Sequence, residues 1–260
     1  MPTSKHDAPL DSLNTPSFKM DGQDIPFKPG DSIMQAAESA GYYIPHLCYH
    51  KGLSAHGSCR LCIVKSGDRM VAACTTPAQK NQAISNDHSD VNLLRKQMIQ
   101  MLFAEGNHFC PSCESSGNCQ LQALAYSLGM HETHFEHFFP ARNIDASHPD
   151  IFLDLDRCIN CALCERASEE IDHKNAFVFA GRGIHSQLQA NSETGKLNDT
   201  ELTIDDAAAH VCPVGAILFR KGHYSSKPGQ RRYDNTDIKH IGNQRPDDRV
   251  GTNPGGKAND

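Results

Sequence analysis

The segment beginning at Ser17, SFKMDGQDIPFKPG, holds two short strand-like runs on either side of Asp21-Gly22, a dipeptide suited to the left-handed turn of a tight hairpin. The pattern becomes helical over DSIMQAAESAG. Asp31 or Ser32 can cap its start, Gln35 stands three residues after Ser32 as a capping box requires, and Gly41 stops it. Strand-like runs follow at IVKS, 63–66, and MVAACTT, 70–76. Residues 90–104, DVNLLRKQMIQMLFA, put Val91, Leu94, Met98, Met101 and Leu102 on one helical face, which reads as core packing. A second helix is predicted from Cys119 to Leu128, with Gly129 as its C-cap. IFLDL and AFVFA then read as strands, and DDAAAHV as a short helix.

These elements predict an α+β chain in which 260 residues make several small units. Residues 1–16, polar and carrying Pro2, Pro9 and Pro16, are expected to be a flexible arm. Hairpin, helix and further strands over 17–89 suggest a small β-grasp-like domain. Residues 90–145 are expected to be helical around a cysteine loop, running into a His- and Pro-bearing connector. Residues 146–224 form a third domain, and 225–260 a polar C-terminal tail, flexible or ordered only on a partner.

Composition narrows the function. A formal net charge of -6 argues against a general nucleic-acid binder and for protein or small-molecule partners. No run approaches the roughly 18 apolar residues of a membrane span, and the first twenty residues lack a signal-peptide apolar region; a soluble cytoplasmic protein is expected. Eleven cysteines in a reducing compartment read as metal or cluster ligands rather than disulfides.

Their spacing gives three sets. Cys48, Cys59, Cys62 and Cys74 make a four-thiolate site around a CxxC pair. It fits a 2Fe-2S cluster or zinc. The ferredoxin-like hairpin and helix upstream, with Gly57, Ser58 and Gly67 freeing the loop, favour iron. Cys158, Cys161 and Cys164 in RCINCALCE, with remote Cys212 in VCPVGAI, form the CxxCxxC and distant Cys-Pro pattern of a bacterial-ferredoxin-type 4Fe-4S site. Subtraction leaves Cys110, Cys113 and Cys119, one ligand short of four. His108, two residues before Cys110, is the nearest other suitable donor, and imidazole replaces thiolate in other iron-sulfur centres. His131, His134 and His137, spaced by three, are rival donors that a helix would bring together. His46, His50 and His56 are expected in supporting or surface roles.

The order of these sets resembles the N-terminal iron-sulfur region of the largest peripheral-arm subunit of respiratory complex I, a module that also opens several iron-only hydrogenases and NAD-linked formate dehydrogenases. FAEGNHFCPSCESSGNCQLQA, DRCINCALC, CPVGAI and GQRRYD resemble more closely the diaphorase iron-sulfur subunits of NAD-reducing nickel-iron hydrogenases, over residues 17 to 235. Complex I subunits place three residues between the ligand histidine and the next cysteine; only Phe109 intervenes here. They also continue into a large domain, whereas this sequence ends, which is expected to exclude a complete iron-only hydrogenase too. The resemblance implies an electron-transfer subunit between a diaphorase subunit holding FMN and NAD(H) and the hydrogenase small subunit. Equivalent subunits of a formate dehydrogenase or a complex I-type enzyme are the alternative, and a zinc-stabilised interaction protein is the reading of another class. With every cysteine assigned, and neither GxGxxG after a strand nor a Walker-type loop, no catalytic residue is expected on this chain.

Overall fold

The structure, a computed structural model, describes residues 15–222 and 226–242. The expected arm at 1–16 lies outside the described residues except for Thr15 and Pro16, as does the tail beyond 242. The hairpin forms as expected. β1 (Ser17–Met20) pairs antiparallel with β2 (Gln23–Pro26), Phe18 opposite Ile25. Asp21 and Gly22 both take positive φ, 49° and 85°, as a primed hairpin turn demands. Ser32 caps α1 (Ile33–Ser39), and the reciprocal bond from Ser32 N–H to Gln35 completes the capping box.

β3 (Ile63–Ser66), β4 (Arg69–Ala72) and β5 (Ala83–Ser85) complete a mixed five-stranded sheet in the order β2-β1-β5-β3-β4. Phe18, Met20, Ile25, Ile33 and Val64 fill the core between this sheet and α1. The strand expected over 70–76 ends at Ala72. There the Thr75 and Thr76 amides donate back to the Ala72 carbonyl and turn Cys74 inward.

α2 (Ser89–Glu105) has the predicted extent but not the predicted face. Val91, Arg95, Ile99 and Ala104 are buried, whereas Leu94, Met98 and Leu102 are only partly covered and Met101 is exposed. The stripe is turned by Arg95. Its guanidinium donates to the carbonyls of Leu61, Ile63 and Asn86 and to the Asn86 side chain, so a cation sits in the core with its donors satisfied. Desolvation lowers its pKa to about 10. α3 (Gln120–Ser127) packs on α2, and Gly129 ends its turn at φ 63°.

β6 (Ile144–Asp145) and β7 (Ile151–Asp154) join β10 (Ile217–Phe219) in an antiparallel sheet. α4 (Leu163–Glu170) packs on α5 (Ala207–His210), beside a hairpin of β8 (Phe177–Ala180) and β9 (Gln187–Ala190). The described part of the expected tail is folded. α6 (Ile238–Ile241) lies on α3 with Ile238 buried, and Tyr233 N–H donates to the Gly117 carbonyl. The units are not insulated from one another either. Leu47 and Leu61, from the first cysteine loop, belong to the core of α2 and α3, while Cys48 and Leu53 belong to that of α4 and α5.

Candidate metal centres

The first set lies where that loop meets the sheet. Cys48 and Cys59 exchange amide-to-sulfur hydrogen bonds of 3.4 Å, and the Cys62 and Cys74 sulfurs stand 3.3 Å apart. Arg60, at φ 57°, bends the CxxC segment so that both its thiols turn inward. Within each pair the two sulfurs share a hydrogen bond, which eases loss of the first proton and, together with burial, hinders loss of the second.

The third set is built by its own backbone. Asn160 and Ala162 take left-handed φ of 51° and 57°, alternating with ordinary residues. This wraps the chain so that the amides of Asn160, Leu163 and Glu165 face the sulfurs of Cys158, Cys161 and Cys164, the concave amide nest that favours negative charge. Burial pushes Cys158 up to about 11, and Cys161 and Cys164 further. Cys212 follows α5, and all four thiols line one cavity walled by Phe179, Leu188, Val214 and Ile217.

The second set is closed by packing from outside. His108, Cys110, Cys113 and Cys119 line one cavity together with Phe103, Phe109, Arg157 and Gly215. His108 Nε2 is buried there without a hydrogen-bond partner. Desolvation, with the Arg142 and Arg157 charges, lowers its pKa to about 4, so the imidazole is neutral with a free lone pair. A Cβ on Gly106 would lie 2.5 Å from that nitrogen. Asn107 pins the loop by donating to Asp156 and to the Pro140 carbonyl. Cys119 sits at the start of α3, where burial raises it to about 12 against the pull of the Gln122 and Leu121 amides.

The rival histidines take no part in these sets. His131 and His134 are exposed, and His137 Nδ1 accepts the Phe139 amide; the segment is not helical. His46 is buried, donating from Nδ1 to the Ile44 carbonyl at 2.7 Å. His50 is half-buried and His56 exposed in the first loop.

The fit to iron-sulfur chemistry rests on donor type and space. Among the described residues no three His, Cys, Asp or Glu close on a single metal ion. The donors of the second and third sets instead each converge on one small cavity. Several residues that the spacing did not single out hold the sets together. Arg157 pairs with Asp154 at 2.8 Å and Glu114 at 2.5 Å and reaches within 3.5 Å of Cys113 Sγ. Arg142 donates to the Cys158 carbonyl. Gly215, in the quoted CPVGAI run, has no room for a Cβ, which would lie 3.0 Å from Cys113 Sγ and 2.9 Å from Ser115 Oγ. The loop that carries Cys212 into the third set is thus pressed against the second.

Three family models match in chain order: a 2Fe-2S iron-sulfur cluster binding domain over residues 15–89, the NADH-ubiquinone oxidoreductase-G iron-sulfur binding region over 95–134, and a 4Fe-4S single cluster domain over 151–219. The gamma subunit of the NAD-reducing hydrogenase HoxS of Cupriavidus necator is 36% identical over 83% of this chain and 92% of its own length. The mitochondrial NADH-ubiquinone oxidoreductase 78 kDa subunit of Candida albicans is 29% identical over 84% of this chain. The chain spans only about a third of that relative's length, 31%. A chain from the crystal structure of an NAD+-reducing [NiFe]-hydrogenase in the H2-reduced state superposes with a TM-score of 0.82 at 49% identity, covering 85% of this chain and 94% of that one.

Proposed function

Because the chain belongs to the family of the gamma subunit of NAD-reducing hydrogenase, an iron-sulfur electron-transfer subunit of an oxidoreductase complex, we propose that it relays single electrons through one 2Fe-2S and two 4Fe-4S clusters. Cys48, Cys59, Cys62 and Cys74 hold the 2Fe-2S cluster in a β-grasp ferredoxin-like domain. His108, Cys110, Cys113 and Cys119 hold one 4Fe-4S cluster in the helical domain, and Cys158, Cys161, Cys164 and Cys212 the other in a bacterial-ferredoxin-like domain. The observation that carries this reading is the unpartnered His108 Nε2, buried in the same cavity as three thiols.

Bound clusters supply one-electron redox chemistry; the protein sets its energetics through ligand type, hydrogen bonds and burial. The Asn160, Leu163 and Glu165 amides stabilise negative charge on the third-set sulfurs. Neutral His108 in place of a thiolate removes one negative charge, and Arg157 adds a positive one beside Cys113. Both favour the reduced state of the second centre. The partners are a diaphorase subunit that binds FMN and NAD(H) and a hydrogenase small subunit, in the cytoplasm, and this chain contributes no catalytic residue. No helix among the described residues is long and apolar enough to cross a membrane.

Iron, zinc and acid-labile sulfide analysis of anaerobically purified protein tests the assignment, with about ten irons per chain expected. Colourless protein with stoichiometric zinc and no sulfide would sink it. His108→Cys is expected to keep a 4Fe-4S signal at a lower potential, and an unchanged signal in His108→Ala would show that another group is the ligand.

A further inference from the structure

Arg166 lies on α4, two residues after Cys164, and is buried at 7% exposure. Its Nη2 donates to the Cys48 carbonyl at 2.7 Å and to the Cys161 carbonyl at 3.4 Å. Nε donates to the Ala162 carbonyl at 3.1 Å, and Nη1 to the Ser54 carbonyl. One guanidinium therefore grips the backbone of a first-set ligand and of a third-set ligand that lie more than a hundred residues apart in the chain. Around it, Cys48, Leu53, Cys161 and Cys164 share one apolar core. A second tie joins the same loops, from Ser54 to the Glu170 carboxylate.

Apolar packing could join two loops without desolvating a cation, which is a costly group to bury. What the guanidinium adds is a rigid fork that fixes several carbonyls at once, together with a permanent charge. We infer that Arg166 is a positioning residue shared by the first and third centres, holding the Cys48 and Cys161 loops at a fixed separation and favouring an added electron at either. The inference rests on the ligand assignment proposed above. When an electron crosses between these loops, one centre is oxidised by one electron and the other reduced by one; no bond forms or breaks. The Arg166 charge acts on both ends with the same sign, so its removal shifts both midpoint potentials in the same direction.

The test uses the full chain, loaded anaerobically with iron and sulfide, as wild type, Arg166→Gln, Arg166→Lys and Ser54→Ala. EPR redox titration, pulsed-EPR dipolar coupling between the first and third centres and hydrogen exchange over residues 48–54 are read together. Arg166→Gln is expected to lower both midpoints, weaken and spread the dipolar coupling and speed exchange several-fold. Arg166→Lys, which keeps the charge and loses the fork, is expected to restore the midpoints but not the coupling. Ser54→Ala is expected to leave midpoints and coupling unmoved. Unchanged midpoints and coupling in Arg166→Gln would overturn the inference, as would Ser54→Ala reproducing its effects. If Arg166→Gln fails to hold clusters, wild-type coupling in Arg166→Lys overturns it as well. Absence of either signal from the wild-type chain would instead overturn the ligand assignment, and this inference with it.

Discussion

The second and third centres have the same number of donors and cavities of similar size, yet they are built by opposite means. The third is local: a left-handed residue before Cys161 and another after it wrap seven residues around a buried space, and only Cys212 arrives from afar. The second loop has short turns of its own, the Cys113, Ser116 and Asn118 amides donating to the carbonyls of Cys110, Cys113 and Ser115, but Phe109 stands exposed at its edge. Its placement comes from Gly106, Arg157, Gly215 and the strap around Tyr233. A loop that carries its geometry in its dihedrals tolerates changes elsewhere, whereas one that borrows its geometry fails when any neighbour moves.

Breaking the third centre has the largest expected effect, because its thiols are also core. Cys164 is buried against Cys48, Leu53 and Ala167 in one apolar cluster. Cys164→Ser is expected to lose about four irons per chain and, with the linkage between cluster binding and folding gone, roughly 4 kcal/mol or more of stability. Iron analysis and thermal unfolding check this. A melt no lower than that of His108→Ala would mean that the two centres contribute alike and the contrast fails.

Much of this organisation was legible in the sequence. Asp21-Gly22 and the Ser32 capping box each depend on a few adjacent residues, the CxxC and CxxCxxC runs announce the first and third sets although Cys48, Cys74 and Cys212 stand apart from them, and counting eleven cysteines against sites that take four donors pointed to His108. The supports were not legible, because their partners are remote in sequence. Arg95 stands outside the apolar face that the pattern picks out, and nothing local announces the Leu61 and Ile63 carbonyls that receive it. β5 has one buried residue, Ile84, too few to show a period. The described part of the supposed tail reads as polar because Asp234 and Arg231 satisfy each other rather than water.

Acid separates the two centres next. His108 titrates near 4 in the folded chain against 6.5 unfolded, so between those values the unfolded state binds a proton that the folded state does not. Stability of the cluster-free chain therefore falls as pH drops from 6.5 to 4, by about 3 kcal/mol from this group. Around the third centre, on β6 and just before α5, the Asp145 and Asp206 carboxylates are instead held below the ordinary 3.8, against desolvation, by their hydrogen bonds and by Lys196 and Lys174. Their contribution is complete above 3.8 and is lost only as pH falls through their lower folded values. Hydrogen exchange of the cluster-free chain, followed from pH 6.5 to 4, should rise around His108 before it rises around residues 158–164. A simultaneous rise would show that the two sites are not separately supported.

The smallest expected effect tests whether the strap shapes the second loop at all. Asp234 accepts the amides of Gly229 and Arg231 and the Arg231 guanidinium, and that guanidinium lies against Gly117, where a Cβ would collide with it. Tyr233 N–H and Arg232 N–H then hold the Gly117 carbonyl and the Asn118 side chain, between Cys113 and Cys119. Asp234→Ala leaves every ligand in place and removes only the residue that organises this grip. Faster hydrogen exchange is expected at Gly117 and Tyr233, with broadening of the second centre's EPR line and less of the third's, because the strap bonds directly to Gly117 and Asn118 and shares only an apolar core with Cys158 and Ile159. If exchange rises while the second signal keeps its shape, the loop holds its own geometry, and the contrast between the two centres reduces to the His108 ligand alone.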